Sequence, residues 1–248
     1  VVLNDHSATI VLNRANQLNA FNTQMLRELS EAMDTVAANV DVKALVIESA
    51  SPKAFSTGLD LSQLESFQSV HEARDFAILL EETMLKVFNF PLPTIARLDG
   101  HVYGGGLGLA ISCDFRVATG KTQMGFPALR IGAILPLACT IRLNHLVGVS
   151  FSRELLFLGQ KIDAEMALQK GLINACGDKN TCDTFINNVI ISVKDIPASV
   201  LAMQKKALNQ TQNGQIYGMA SQSAENFAFF YSSGNWQSVH QNLRQKNG

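Results

Sequence analysis

Two spacings of apolar residues divide the chain. "ATIVLN" (8–13) and "PTIARLDG" (93–100) are apolar runs of strand length, and "VKALVIESA" (42–50) is the β-branched kind of run that is buried on both faces of a sheet. Between them the period becomes helical. Asn22 can cap a helix in which Met25, Leu29, Ala32, Met33 and Val36 form one apolar stripe. A second helix is predicted over roughly 72–89; it must stop before Pro91 and Pro93, because proline disfavours helical geometry in the residue before it. Strand, helix, strand at this spacing argues for an α/β core with crossover connections. From about residue 150 the pattern is mostly helical, through "SFSRELLFLGQ", "DAEMALQKGL", "CDTFINNVIISVKDI", "SVLAMQKKALNQ" and the tail from 215. No low-complexity linker or sequence repeat separates the halves. The reading is a core region over 1–190 followed by a helical region over 191–248, which covers a ligand site or a neighbouring subunit.

Composition narrows the class. With 248 residues, 47% hydrophobic and 17% charged, the chain can bury a large core. A net charge of -1 offers no global field for nucleic acid or an anionic membrane. No run of about 18 apolar residues is present to span a bilayer. Cys113, Cys139, Cys176 and Cys182 include no CxxC pair and read as reduced thiols, so neither a disulfide nor a metal site is expected. That points to the cytoplasm or an organelle matrix. The opening "VVLNDHSATIVLN" reads as a strand without the regions of a signal peptide, and with no initiator Met the chain is expected to start after trimmed residues.

The chemistry concentrates around "DGHVYGGGLGLAISCDFRVA" (99–118), where three glycines stand between a strand and an apolar helix-like run. A phosphate loop is excluded on detail: no Lys-Ser or Lys-Thr follows, and Leu109 occupies the third glycine position of a dinucleotide fingerprint. One reading left open is tight packing of a helix on a strand. Another is that free N–H groups at a helix start face developing negative charge on an oxygen, as in a thioester that becomes an enolate. Two donors are wanted, and "SPKAFSTGLDLSQL" (51–64), which turns at Gly58, is the candidate for the second.

"NQLNAFNTQMLREL", "KAFSTGLDL", "DGHVYGGGLGLAISCDFRVA", "FPALRIGAI" and "ALQKGLIN" occur in the order found in the enoyl-CoA hydratase/isomerase (crotonase) family, which this chain resembles over essentially its whole length. The resemblance implies a crotonase-like β/α spiral core with a helical C-terminal trimerisation region. It implies a CoA-thioester substrate, no cofactor beyond the CoA moiety, and a homotrimer or dimer of trimers. It maps an oxyanion hole onto the backbone N–H groups of Leu59 and Gly105, flanked by Gly58, Gly104 and Gly106. Ala54 and Ser56 map to the edge that receives adenine and pantetheine, Asp60 and Leu61 to the acyl end, and Lys53 to a place where a cation could meet CoA phosphate.

The chain departs from the family at its acids. Gly108, Ala128 and Pro136 stand at the three positions where family members carry a catalytic glutamate or aspartate. Other candidates are His71, Glu72, Asp75, Glu81 and Glu82 on the segment after the CoA loop, and His101 and Tyr103 beside the glycines. Cys139 reads as an inert buried thiol, and Asp114 and Arg116 as structural partners. Two functions stay open: an enzyme (a hydratase, isomerase or decarboxylase working through an enolate) and a non-catalytic acyl-CoA binding or assembly subunit. The aromatics Phe227, Phe229, Phe230, Tyr231 and Trp236 are expected at or near subunit contacts.

Overall fold

The computed structural model describes residues 1–131, 133–217 and 220–234. After a short strand β1 (Val2–Asn4) come β2 (Ser7–Leu12) and helix α1 (Thr23–Ala37). The Asn22 side chain accepts a hydrogen bond from the Met25 N–H and caps α1, and Met25, Leu26, Leu29, Met33 and Val36 are its buried face. Each such side chain stabilises the fold by about 1.5–3 kcal/mol relative to exposure. Ala32, expected in the same stripe, is only partly buried.

The chain then winds between two sheets. Strand β3 (Ala44–Ser49) leads to β4 (Ala54–Ser56), followed by α2 (Leu61–Ser66) and α3 (Val70–Phe88). Strand β5 (Thr94–Leu98) leads to β6 (His101–Tyr103) and α4 (Gly105–Ser112), and β7 (Phe115–Thr119) to β8 (Gln123–Gly125) and α5 (Leu137–Phe157). Then come β9 (Lys161–Asp163), α6 (Ala164–Gln169), β10 (Ala175–Gly177), α7 (Lys179–Val193), α8 (Ala198–Tyr217) and α9 (Ala220–Ser232). One sheet has the order β1-β2-β3-β5-β7-β10 and the other β4-β6-β8-β9. All neighbours are parallel except β1 with β2 and β8 with β9. Three successive turns each place one strand in each sheet and then a helix, which is the expected β/α spiral.

Several expectations need correction in detail. The second helix starts at Val70, where Ser69 accepts from the Glu72 N–H and Glu72 accepts from the Gln68 N–H. Strands β6, β8, β9 and β10 have three residues each, too short to show an alternation, so the mostly helical second half in fact contains two strands. The proposed boundary at 190 falls inside α7. Asp114 and Arg116 are structural, but the cation on Asp114 is Lys205 of α8, at 2.6 Å. Arg116, buried, donates instead to the carbonyls of Leu172 at 2.7 Å and Cys113 at 2.6 Å. Cys113, Cys139 and Cys182 are buried, Cys176 is partly so, and all four are free.

The last helix returns to the core. Phe227 packs near Phe76 of α3, Tyr231 lies edge-on to Phe67 and donates to its carbonyl at 2.8 Å, and Arg74 pairs with Glu225 at 2.7 Å. The aromatic surface expected at subunit contacts is thus largely used within the chain: Phe227 and Phe230 are buried, whereas Phe229 is 74% exposed. Trp236 lies outside the described residues.

Candidate active site

Helix α4 is apolar all round and buried over its full length, so the core holds it by every face. Its start is shaped by glycine. Gly104, the N-cap, has φ 54° and ψ −123°, a conformation L side chains avoid, and a Cβ on Gly106 would lie 2.2 Å from the Ser56 carbonyl oxygen. The N–H of Gly105 belongs to the first helical turn, where amides lack an intrahelical acceptor. The macrodipole adds roughly half a positive charge at this end.

A second loop meets it backbone to backbone. Gly58 has φ 96°, and a Cβ there would stand 2.7 Å from the Gly105 nitrogen. The residues around Leu59 pair in parallel with Phe21: the Phe21 N–H donates to Gly58 O at 2.6 Å and the Asp60 N–H to Phe21 O at 3.0 Å. Because alternate peptide groups point to opposite sides of an extended chain, the Leu59 N–H is turned away from Phe21. Leu59 and Gly105 both line one cavity.

Asn19 ties this loop down. It is buried with φ 52°, and its amide donates to Ser49 Oγ at 2.7 Å and to Phe55 O at 3.0 Å. Its own carbonyl accepts from Ser56 Oγ at 2.8 Å, and Ser56 Oγ accepts from the Gly58 N–H at 3.2 Å. Arg14 donates to the Ala20 carbonyl and pairs with Asp60 at 2.9 Å. The role of Asn19 was not foreseen, although it stands inside the recognisable "NQLNAF" run.

The cavity has a volume of about 590 Å³ and mostly apolar walls. Leu59, Asp60, Leu61, Gly104 and Gly105 line it, and so do Ala128 and Pro136, two of the positions without acids. Lys53, Ala54, Ser56, Gly58, Gly106 and Gly108 are not among its lining residues. Lys53 is exposed, and Ala54 and Ser56 are fully buried in β4. A Cβ on Gly108 would meet Cys139 Sγ at 3.4 Å and Leu135 Cδ1 at 3.6 Å, so those side chains occupy the room that a longer residue would need. Burial pushes the Cys139 thiol up to about 12, which keeps it protonated and inert.

Among the described residues, two carboxyl groups line the cavity, and they are set apart by their surroundings. Burial tends to raise Asp60, but hydrogen bonds from the Ser62 side chain, Arg14 and the Ser62 N–H outweigh it and hold the group below the usual carboxylate range. Glu81 is the opposite case. It is 4% exposed, and burial raises its pKa despite hydrogen bonds from Ser223 and the amides of Ala138 and Leu137. Of the five candidates on the segment after the CoA loop, Glu81 alone is buried and faces the cavity; His71, Glu72, Asp75 and Glu82 are exposed. His101 is exposed and stacks on Tyr103, whose hydroxyl bonds Gln123 at 3.1 Å, and neither lines the cavity.

Residues 4–244 match the enoyl-CoA hydratase/isomerase family. The chain belongs to that family. It is 30% identical over 207 residues to a short-chain-enoyl-CoA hydratase of Clostridium acetobutylicum, covering 82% of this chain and 77% of that protein. It is 34% identical to mouse mitochondrial methylglutaconyl-CoA hydratase over 169 residues, 68% of this chain but 54% of the relative. The chain therefore spans little more than half of that relative's length. A crystal structure of an enoyl-CoA hydratase/isomerase from Xanthobacter autotrophicus Py2 superposes with a TM-score of 0.82 at 28% identity, covering 97% of this chain and 94% of the other. An enoyl-CoA hydratase from Bacillus halodurans reaches a TM-score of 0.90 at 22% identity over 97% and 98% of the two chains, which shows the shared fold. Family members act on acyl-CoA substrates. Among the described residues no single helix is long and apolar enough to cross a membrane, and no group of His, Cys, Asp or Glu could hold a metal.

Substitutions at Gly108 and Ala128 separate by packing. Gly108→Glu should destabilise the protein by about 3 kcal/mol or more, since it forces a carboxylate between Cys139 and Leu135. Ala128→Glu, on the cavity wall, should change stability by less than about 1 kcal/mol. Urea denaturation of both variants measures this; equal losses would contradict the placement of Gly108.

Proposed function

We propose that this protein binds an acyl-CoA thioester with the carbonyl oxygen between the N–H groups of Leu59 and Gly105 and catalyses a reaction that passes through the thioester enolate. The observation that carries this reading is the close backbone approach of Gly58 to Gly105 beside one mostly apolar cavity that Leu59 and Gly105 both line. In such a site each donor aimed at a developing oxyanion is worth about 2.7–4 kcal/mol of barrier. Low polarity strengthens the interaction, because few other dipoles screen it.

The acyl chain lies along Leu61, Ala77, Leu80, Phe126 and Phe227, a wall suited to a short or medium apolar chain. Lys53, which is exposed, stands at the outer edge where the family resemblance implies CoA is received, whereas Ala54 and Ser56, mapped to the same edge, are buried in β4 and do not reach it. No cofactor is required beyond the CoA moiety itself. The assembly we propose is a homotrimer or dimer of trimers, in keeping with the family and with apolar Met203, Leu208 and Phe229, which are 64%, 68% and 74% exposed.

A reading as a pure acyl-CoA binding subunit is favoured by Gly108, Ala128 and Pro136. The retained N–H pair and a buried carboxyl in the same cavity favour an enzyme. Water addition needs one group to activate water and another to deliver a proton, and with Gly108, Ala128 and Pro136 at the family's acid positions it is expected to be slow.

Gly105→Val tests the carbonyl site. A Cβ there comes within 3.1 Å of the Phe21 ring, and the branched side chain must crowd the space before the amide. Affinity for butyryl-CoA by calorimetry should fall at least tenfold, about 1.4 kcal/mol, in the folded variant. Undiminished affinity would place the thioester elsewhere. The wild type should hydrate crotonyl-CoA far more slowly than about 10 s⁻¹, a common enzymatic rate. Hydration at that rate, read from loss of the enoyl-thioester absorbance, would mean that a water-activating pair exists in the cavity.

A further inference from the structure

We propose that Glu81 of α3 is the acid–base residue that moves protons to and from the carbon atoms of the bound acyl group, with Ser223 of α9 as its positioning residue. This rests on the thioester reading above and assigns a residue to the position that Gly108, Ala128 and Pro136 leave empty.

The argument begins with the helix. Ala77, Leu80 and Glu81 recur at helical spacing on α3 and form one wall of the cavity that also holds Leu59 and Gly105. A carboxyl group in an apolar wall is costly unless its oxygens are bonded, and both are. The Ala138 N–H donates to Glu81 Oε1 at 3.0 Å, and Ser223 Oγ donates to Oε2 at 2.8 Å. Ser223 Oγ in turn accepts from the Leu137 N–H at 3.3 Å, which commits its proton to the carboxyl.

Both partners are donors. Together with the Leu137 amide they orient a carboxylate, and the roughly four lone-pair sites of its two oxygens leave one to take up a proton. A purely structural account exists: Pro136 gives α5 no side-chain cap, and Glu81 and Ser223 supply acceptors to its first amides. That role alone would be met as well by a neutral side-chain amide oxygen. A carboxyl group instead sits in the cavity wall, with burial raising its pKa.

The step balances without a co-reactant. Glu81 takes the proton from Cα of the thioester; the C–H electron pair forms the Cα–C double bond, and the carbonyl π pair moves to oxygen between the two N–H groups. In a 3-enoyl thioester the same carboxyl returns the proton to Cγ as the double bond moves to the 2-position. In a saturated thioester it returns a solvent-derived proton to Cα. One carboxyl group suffices for either, whereas hydration would need a second group.

The test is exchange of the α-hydrogens of butyryl-CoA for deuterium in D₂O, followed by NMR, beside binding by calorimetry. Wild-type protein should bind and exchange. Glu81→Gln keeps an oxygen for Ala138 but cannot take up the proton, so exchange should fall by about 10²–10⁴ with affinity changed less than about threefold. If Glu81→Gln does not fold, Ser223→Ala is read instead: exchange about tenfold slower at unchanged affinity, with Ser223→Thr restoring the rate. Wild-type protein that binds butyryl-CoA without exchanging it, or a folded Glu81→Gln that exchanges at the wild-type rate, overturns the assignment and leaves the binding site standing. A Ser223→Ala rate equal to wild type overturns the positioning role. Absence of binding by the wild type would instead refute the thioester reading itself.

Discussion

Everything in the site depends on how closely two backbones can approach at Gly58 and Gly105. A side chain at residue 58 would stand 2.7 Å from one amide nitrogen and 3.0 Å from the Tyr103 carbonyl, so the loops meet only because residue 58 lacks one. The approach costs conformational entropy and positive φ angles, and it is held from behind. Asn19 and Ser56 fasten the first loop, and the buried α4 anchors the second. In the proposed reading the N–H groups of Leu59 and Gly105 are thus held by the fold rather than by flexible side chains, so little reorganisation is needed when charge develops.

The apolar cavity makes that arrangement matter. In water two amide dipoles would be screened; among Leu80, Phe126 and Phe227 they act nearly undiluted. The same environment sorts the two carboxyl groups. Asp60 has an arginine and the Ser62 side chain and amide, and stays ionised as part of the scaffold. Glu81 has neutral donors only, and burial pushes it the other way. Two acidic residues are therefore set apart: one is tied into the loop, the other faces the cavity.

Much of this was legible in the sequence. The buried strand 42–50, the Asn22 cap and the stripe from Met25 to Val36 follow from period and chemistry, and the order of the glycine loops identifies the family. The three-residue strands were not legible because alternation cannot show over so short a length. Glu81 was visible only as one of five charged or titratable residues on a helix. What separates it from Glu82 is a rotation of 100° about the helix axis, and that depends on which face α9 covers. Ser223 gave no local signal at all: it lies 142 residues from its partner, and only the return of α9 over α3 brings them together. The aromatics of α9 misled for the same reason, because the surface they cover belongs largely to this chain.

The most direct test of the central claim is the vibrational frequency of the bound thioester carbonyl. Butyryl-CoA labelled with ¹³C at the carbonyl, compared with unlabelled ligand by infrared difference spectroscopy, isolates that band in the complex. Two amide donors polarise the bond towards the enolate, so the band should shift to lower frequency on binding to the wild type. A bound thioester whose carbonyl frequency equals that in water or rises above it would show that no pair of N–H groups holds the oxygen, and would contradict the account at its base.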